Sequence, residues 1–323
     1  METMTKKIRK ITLAMLAVLL LGIPSLFAQS ANSGYITAAA IAETRKPVMR
    51  TVPKISAEEK KAAAIKNKAY QLYTKAYAQA AAGHWEEAIA LYEKSIDLNK
   101  SYVPAWYEMA QCESNAGDYK HAVKHFTKAL KMKPEATFIY NLRGSALNLG
   151  GKYRKAVKDF DAFLAANPKS DTGYTNRATA KANMEKYDEA LADYKTALSL
   201  NPQNRFADFG TANMLSRLGR YSEAYPIYRS LTQAYPKESR YFFNEGMACY
   251  ETQNFNLAVN SFTKVISLDK SNSEALYMRG RSYYESGNFN AACRDFTQAG
   301  QAGHKDAVKL KEEYCNRNSG RNF

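Results

Sequence analysis

Two histidines lie one helical turn apart, at His121 and His125, and this spacing can hold a transition metal between two imidazoles. The sequence places no obvious third ligand beside them. Three lysines, Lys120, Lys124 and Lys128, flank the pair and would repel a cation. We therefore predict no metal site at these histidines.

Three arginines are each followed, sixteen residues later, by an aspartate. The pairs are Arg143 with Asp159, Arg177 with Asp193, and Arg279 with Asp295. A guanidinium and a carboxylate can form two parallel hydrogen bonds, so this spacing predicts ion pairs between neighbouring helices. Partly exposed pairs of this kind contribute about 0.2–1 kcal/mol each. We expect them to specify helix packing and not to catalyse a reaction.

The sequence contains none of the spacings that usually carry catalysis. It has no phosphate-binding loop, no Cys-x-x-Cys, no Gly-x-Ser-x-Gly and no His-Glu-x-x-His. It therefore predicts no catalytic residues and no cofactor. A protein that works by presenting a surface is favoured over an enzyme.

The elements that position these side chains recur with a period of 34 residues. An alanine stands at the same point of every period, at Ala88, Ala122, Ala156, Ala190, Ala224, Ala258 and Ala292. An aromatic residue lies three positions before and four positions after each of them, and the residue twelve positions before is alanine or glycine. Four periods end in proline, at Pro134, Pro168, Pro202 and Pro236. Strict self-similarity of this kind is typical of a repeat array.

Each period encodes two packed helices. Ala122 and Phe126 are one turn apart and share a helix face, while the small Ala110 lets a second helix approach closely. Gly117 supplies the turn between the two helices, and Pro134 ends the second one. Each helix pair leaves a hydrophobic face that the next pair covers, so the predicted fold is all-α.

This arrangement resembles the tetratricopeptide repeat, a helix–turn–helix unit of 34 residues. A representative copy reads Trp106-x-x-Met109-Ala110, Gly117-x-Tyr119, Ala122, Phe126, Ala129 and Pro134. Seven tandem copies cover about 69–102, 103–136, 137–170, 171–204, 205–238, 239–272 and 273–303. The resemblance implies a right-handed α-solenoid.

In this family the first helices of successive repeats line a concave groove that binds peptides. The resemblance therefore implies a stripe of partner-binding residues along these helices. Its members are Tyr73, Tyr77, Tyr107, Gln111, Asn141, Ser145, Thr175, Thr179, Phe209, Asn213, Phe243, Met247, Tyr277, Arg281 and Tyr284. Aromatic rings would supply contact area and amides could bond a peptide backbone. We expect about half of the aromatic side chains to pack between neighbouring helices instead.

Residues 1–30 have the pattern of a secretory signal. Four bases between positions 6 and 10 precede an apolar stretch at 11–23. That stretch is too short to span a bilayer, which takes about 20 residues. The signal is expected to be removed after Ala28 or after Ser30. The mature protein would then be exported to the periplasm or cell envelope, or secreted, and would not span the membrane.

Between the signal and the repeats, residues 31–55 are basic and have no helical period, which predicts a disordered linker. Ser56 and Glu59 then match a capping box. This motif predicts the start of an extended first helix, so the repeat region is taken as 56–303.

At the other end, residues 304–318 are predicted to form a capping helix, with a disordered tail at 319–323. Cys293 and Cys315 lie on either side of a turn near 300–303, so antiparallel helices would bring the sulfurs roughly level. The sequence therefore predicts a disulfide that export would permit, worth about 3 kcal/mol. This ending also resembles that of some exported bacterial members of the family.

The net charge of +15 at pH 7 leaves two classes of partner open. A non-catalytic scaffold of the bacterial cell envelope would bind a protein or peptide in its groove. A basic surface would instead bind an anionic glycan or lipid of the envelope. Nucleic acid is not expected, because export would separate the protein from it. The two classes differ in salt sensitivity, since screening weakens binding to a charged surface more strongly.

Overall fold

The computed structural model describes residues 56–315. The predicted signal at 1–30, the linker at 31–55, the tail at 319–323 and the last residues of the predicted cap lie outside the described residues. Within 56–315 all regular secondary structure is helical. The chain divides into two compact units, the first ending at Ala166 and the second beginning at Asn167.

The first unit contains three helix pairs. They are α1 (Ala57–Ala81) with α2 (Trp85–Leu98), α3 (Val103–Asn115) with α4 (Tyr119–Met132), and α5 (Phe138–Leu149) with α6 (Tyr153–Ala166). Each helix packs against the next one in the chain, and the first helices of neighbouring pairs also touch. The repeat pattern of the sequence is therefore realised as stacked helix pairs in this unit.

The second unit contains four helix pairs and a C-terminal cap. The pairs are α7 (Asp171–Ala182) with α8 (Tyr187–Leu200), α9 (Arg205–Arg217) with α10 (Tyr221–Ala234), α11 (Ser239–Glu251) with α12 (Phe255–Leu268), and α13 (Ser273–Glu285) with α14 (Phe289–Gln301). The cap consists of α15 (Lys305–Leu310) and one π-helical turn (Lys311–Cys315). In the part of the chain that is described, no helix is long and apolar enough to cross a membrane.

The capping box at the start of α1 is confirmed. The Glu59 amide donates to Ser56 Oγ at 3.1 Å, and the Ser56 amide donates to Glu59 Oε2 at 2.8 Å. These two bonds satisfy backbone donors that a helix start otherwise leaves free. From there α1 runs for 25 residues, about twice the length of the other first helices.

The recurring alanines and the aromatics behind them form the core of both units. All seven alanines have no exposed surface. The small position is needed because the ring of the same repeat occupies the space beside it: a Cβ added at Gly144 would lie 2.7 Å from a ring carbon of Phe160. At Gly144 the ring leaves no room for a Cβ, and no repeat holds a residue larger than alanine at this position.

The turn between the two helices of each pair contains a residue whose backbone is in the left-handed conformation. Positive φ angles recur every 34 residues, at Gly83, Gly117, Gly151, Glu185, Gly219, Gln253 and Gly287. Glycine adopts this conformation without steric cost, which explains five of the seven positions. Glu185 and Gln253 adopt the same turn at φ 61°, so the turn geometry outweighs their local preference.

A disulfide joins Cys293 on α14 to Cys315 at the end of the cap, with the two Cα atoms 5.7 Å apart. The predicted bridge is thus present. The described part of the cap is a short helix followed by a π-helical turn, and not one continuous α-helix. Cys112 and Cys249 are buried free thiols.

Candidate functional site

Each of the three arginine–aspartate pairs forms two parallel hydrogen bonds between the helices of one repeat. Arg143 Nε and Nη2 both donate to the Asp159 carboxylate at 2.7 Å, and the other two pairs have bonds of 2.7–2.8 Å. The aspartate side chains are only 5–9% exposed. The pairs are therefore more deeply buried than the sequence predicted, and breaking one costs more than breaking an exposed pair.

Arg143 and Arg279 also reach the preceding helix pair. Arg143 Nη1 donates to Thr127 Oγ1 at 3.0 Å, and Arg279 Nη1 donates to Thr263 Oγ1 at 3.2 Å. One guanidinium thereby connects a first helix to the second helices of its own and the preceding repeat. This arrangement orients helices and offers no reactive group to a ligand.

At the position of these arginines α11 carries an acid instead, and its ion pair joins α11 to the preceding helix, α10. Glu245 takes the position of the arginine, is 2% exposed, and accepts a hydrogen bond from Ser261 Oγ at 2.9 Å. Arg229 of the preceding repeat supplies the positive charge, with Nη1 at 3.4 Å from Glu245 Oε1. The arginine–aspartate pattern did not predict this pair, although Arg229 and Glu245 are also sixteen residues apart.

Both candidate metal-binding histidines contact a carboxylate of the protein. His121 Nδ1 lies 2.7 Å from Asp118 Oδ2, and His125 Nδ1 lies 2.9 Å from Glu113 Oε2. Asp118 also caps α4, since it accepts from the His121 amide. Among residues 56–315, no group of three His, Cys, Asp or Glu side chains is placed to hold a metal ion.

The first helices of the first unit present exposed aromatic side chains. Tyr70, Tyr77 and Phe138 are 54%, 42% and 45% exposed, and we call these three the aromatic face. Within the described residues, they and Ile65 are the large apolar side chains exposed on first helices. The stripe residue Tyr73 continues this surface, because its ring centre lies 6.1 Å from that of Tyr70 and 6.4 Å from that of Tyr77.

One acidic residue beside this surface was not part of the predicted stripe. Glu108 lies on α3 next to Tyr107, which itself contacts Phe138 edge-on at 5.2 Å. Burial raises the pKa of the Glu108 carboxyl to about 7. A sequence signal existed: the same position of the other repeats holds no charge, but Thr74, Leu142, Asn176, Gly210, Asn244 and Met278.

Polar members of the stripe in the first unit are bonded within the protein. Gln111 Nε2 donates to Asn115 Oδ1 at 3.1 Å, and Ser145 Oγ donates to the Asn141 carbonyl at 3.0 Å. The Asn141 side chain is buried, at 8% exposure. Little of the predicted groove residue Asn141 is therefore accessible to a bound peptide.

In the second unit the polar members of the stripe are likewise bonded to neighbouring side chains or to their own helix. The Thr179 hydroxyl lies 3.0 Å from the Tyr194 hydroxyl, and the Tyr228 hydroxyl donates to Asn213 Oδ1 at 2.7 Å. Thr175 Oγ1 donates to a backbone carbonyl one turn earlier. These hydrogen bonds hold helices together, so the side chains have few donors and acceptors left to bond a peptide backbone.

Apolar members of the stripe in the second unit pack against the core. Phe209 is 9% exposed, with its ring 5.0 Å from Tyr241, so little of this predicted groove residue is accessible to a partner. Phe243 contacts Phe262 edge-on at 5.5 Å, and Met247 packs against the same cluster. Stripe rings of the first unit also contact rings of other helices, since Tyr73 lies 5.7 Å from Tyr92 and Tyr107 lies 5.2 Å from Phe138.

The last stripe residues support the C-terminal cap. The Tyr277 ring stacks on His304 at 4.2 Å, and the Tyr284 ring lies 4.6 Å from Tyr314. The Arg281 guanidinium lies 5.8 Å from the centre of the Tyr277 ring. Tyr277 and Tyr284 were predicted to face a partner, but the cap occupies one side of both rings.

Comparison with protein families agrees with the repeat pattern. Three profiles described as tetratricopeptide repeat match the chain, at residues 79–145, 172–204 and 243–303. These segments lie in both units. No curated protein sequence matches the chain at a significant level.

Solved structures with similar folds are also built from this repeat. A tetratricopeptide repeat protein from Parabacteroides merdae is 18% identical with a TM-score of 0.58, over 76% of this chain and 98% of its own. YrrB, described as a tetratricopeptide repeat protein with an unusual peptide-binding site, is 21% identical with a TM-score of 0.53, over 59% of this chain and 99% of its own. MamA from Desulfovibrio magneticus RS-1 is 17% identical with a TM-score of 0.50, over 51% of this chain and 94% of its own. At these identities the similarity establishes the fold alone.

Proposed function

Because this chain is a tetratricopeptide repeat protein, we propose that it is a non-catalytic scaffold that binds a peptide or protein segment on the aromatic face of its first unit. Proteins built from this repeat typically act through protein–protein interaction. The aromatic face carries the proposal, since Tyr70, Tyr77 and Phe138 are about half exposed. Large aromatic side chains that remain accessible on a folded protein are the usual anchors of an interface.

The contrast between the two units supports this location. In the second unit the stripe aromatics Phe209, Phe243 and Tyr284 are packed against the core, a neighbouring helix or the cap. In the first unit, Tyr77 remains 42% exposed on the corresponding face. YrrB shares the fold and is described as binding a peptide, so the fold is compatible with this role.

We further propose that the protein works in the bacterial cell envelope after removal of residues 1–30. The basic run and apolar stretch of that segment support export. The Cys293–Cys315 disulfide also fits an oxidising compartment. Cell fractionation with N-terminal sequencing tests this proposal. An intact N-terminus on protein recovered from the cytoplasm would contradict it.

Affinity capture from a solubilised envelope tests the binding proposal. The baits are the purified chain, a Tyr77→Ser/Phe138→Ser variant, and a Leu257→Ser/Phe289→Ser control that removes similarly exposed apolar side chains from second helices. A protein recovered by the wild type and the control, and lost from the first variant, is expected. A component recovered equally by all three baits and released by salt would favour the anionic glycan or lipid instead.

A further inference from the structure

Five tyrosines come together where α1, α2 and α3 meet, and we call them the tyrosine cluster. Its centre is Tyr73, whose ring lies 5.2 Å from Tyr102, 5.7 Å from Tyr92 and 6.4 Å from Tyr77. Tyr107 lies on α3, and its hydroxyl is one of the groups that raise the pKa of Tyr73. The cluster shares Tyr77 with the aromatic face, and the rings of Tyr73 and Tyr102 lie 6.1 and 6.4 Å from that of Tyr70.

Glu108 is the acidic group of this cluster. Burial, and secondly the charge of Glu108, raises the pKa of the Tyr73 and Tyr92 hydroxyls and raises the pKa of Tyr107 to about 12. The carboxylate therefore acts on three of the five rings. No described residue donates a hydrogen bond to Glu108 or forms an ion pair with it. A partly buried carboxylate without a counter-charge would be stabilised by a cation placed beside it.

A second polar group in the cluster also lacks a partner. The Tyr92 hydroxyl is buried and makes no hydrogen bond within the described residues. Tyr194 occupies the same position of its repeat, and its hydroxyl lies 3.0 Å from that of Thr179, a stripe residue. The stripe residue that corresponds to Thr179 in the first repeat is Tyr77. The Tyr92 hydroxyl is therefore directed toward the stripe, where a bound group could supply the missing partner.

We propose that Glu108 and the tyrosine cluster form a subsite for one cationic side chain, lysine or arginine, of the bound peptide. Aromatic ring faces attract cations, most strongly where water is excluded. A cation beside Glu108 would favour the ionised carboxylate and offset the cost of its burial. This inference rests on the proposed function and specifies which side chain the first unit selects.

The subsite can be tested without knowing the partner. The probes are n-butylammonium and 1-pentanol, which have similar length and differ in charge, titrated at pH 8 into the full chain with isotope-labelled tyrosine rings. Saturable NMR shifts confined to the tyrosine cluster are expected with n-butylammonium. The Glu108→Gln variant, which keeps the shape of the side chain, should bind n-butylammonium at least tenfold more weakly. Affinity for 1-pentanol should be low in both proteins.

Two further variants make the result specific. Glu93→Gln removes an equal charge from an exposed position on α2 and should bind n-butylammonium like the wild type. Tyr77→Leu removes one exposed ring of the cluster and should weaken the binding of n-butylammonium several-fold. The test therefore does not depend on the folding of Glu108→Gln alone.

Equal affinity of the wild type and Glu108→Gln for n-butylammonium would overturn the subsite. Equal shifts with 1-pentanol would overturn it as well, because the cluster would then be a neutral apolar pocket. Neither result would change the interpretation of the capture experiment, which tests the proposed function separately. Conversely, a cation site that persists while capture does not depend on Tyr77 and Phe138 would refute the proposed function alone.

Discussion

Arg279 and Asp295 are joined by two hydrogen bonds of 2.7 and 2.8 Å that connect α13 to α14. Only 5% of the Asp295 side chain is exposed, so water cannot replace the guanidinium. Replacing the arginine leaves a buried carboxylate without a partner. We therefore expect Arg279→Met to lower the free energy of unfolding by about 2–4 kcal/mol, measured by urea denaturation.

An exposed pair in the same unit provides the control. Arg220 and Glu223 are also within hydrogen-bond distance, at 2.6 Å, but their side chains are 41% and 57% exposed. Because water solvates either group when the other is removed, Arg220→Met should change stability far less. Similar losses in the two variants would refute the view that burial sets the value of the Arg279–Asp295 pair.

The unpartnered hydroxyl of Tyr92 predicts a stabilising substitution. Four other repeats hold phenylalanine at this position, at Phe126, Phe160, Phe262 and Phe296. Tyr92→Phe removes a buried polar atom that has no bond to lose, so we expect a gain of about 1 kcal/mol in unfolding free energy. Tyr228→Phe, which removes a 2.7 Å hydrogen bond to Asn213, should instead lose about 1 kcal/mol. The prediction fails if both variants are destabilised alike in chemical denaturation.

The raised pKa of Glu108 predicts how stability depends on pH. The folded protein holds this proton up to about pH 7, whereas an ordinary glutamate releases it near 4.5. Between these values the folded state binds more protons, so the contribution of Glu108 becomes less favourable as pH rises. Glu108→Gln should therefore match the wild type near pH 4 and exceed it by up to about 3 kcal/mol at pH 8.

Urea denaturation across pH 4–8 measures this difference, with Glu93→Gln as the matched loss of an exposed charge. A difference that stays constant over the range would show that Glu108 is not desolvated. The nearby titratable groups Tyr73, Tyr92, Tyr107 and Cys112 all have raised pKa values, so they remain neutral over this range.

The disulfide of the cap predicts both a thiol count and a stability change. Cys112 and Cys249 are the free cysteines, so the unfolded, unreduced protein should expose two thiols and the reduced protein four. Replacing Cys293 and Cys315 by alanine should lower the unfolding free energy by about 3 kcal/mol, since the bridge closes 22 residues of chain. Four thiols before reduction would show that the bridge does not form.

Periodic side chains made the repeat architecture predictable from the sequence. Ala122 and Phe126 recur because each helix pair repeats the same contacts, so a local pattern reports the packing of its neighbours. The Arg279–Asp295 pair was predictable for the same reason, as both ends lie within one repeat. The family resemblance supplied the direction of the first helices, which the pattern alone does not contain.

Contacts outside the repeated pattern could not be predicted in this way. Phe209 is buried because Tyr241 of the next repeat packs over it, and Tyr284 is covered because the cap folds back to Tyr314. Pro226 lies inside α10, yet that helix has a length of fourteen residues, like most other second helices. Glu108 departs from the pattern, because the other repeats hold no charge at this position, but a departure of this kind does not reveal whether the side chain is buried.

Site-specific photo-crosslinking tests the central claim most directly. A benzoyl-phenylalanine placed at position 77, on the aromatic face, is compared in cells with one at position 289, an aromatic position of similar exposure on α14. The proposed scaffold predicts a discrete protein adduct at position 77 that is absent at position 289. An adduct at 289 with none at 77, or the same adducts at both, would contradict a partner-binding site on the first helices of the first unit.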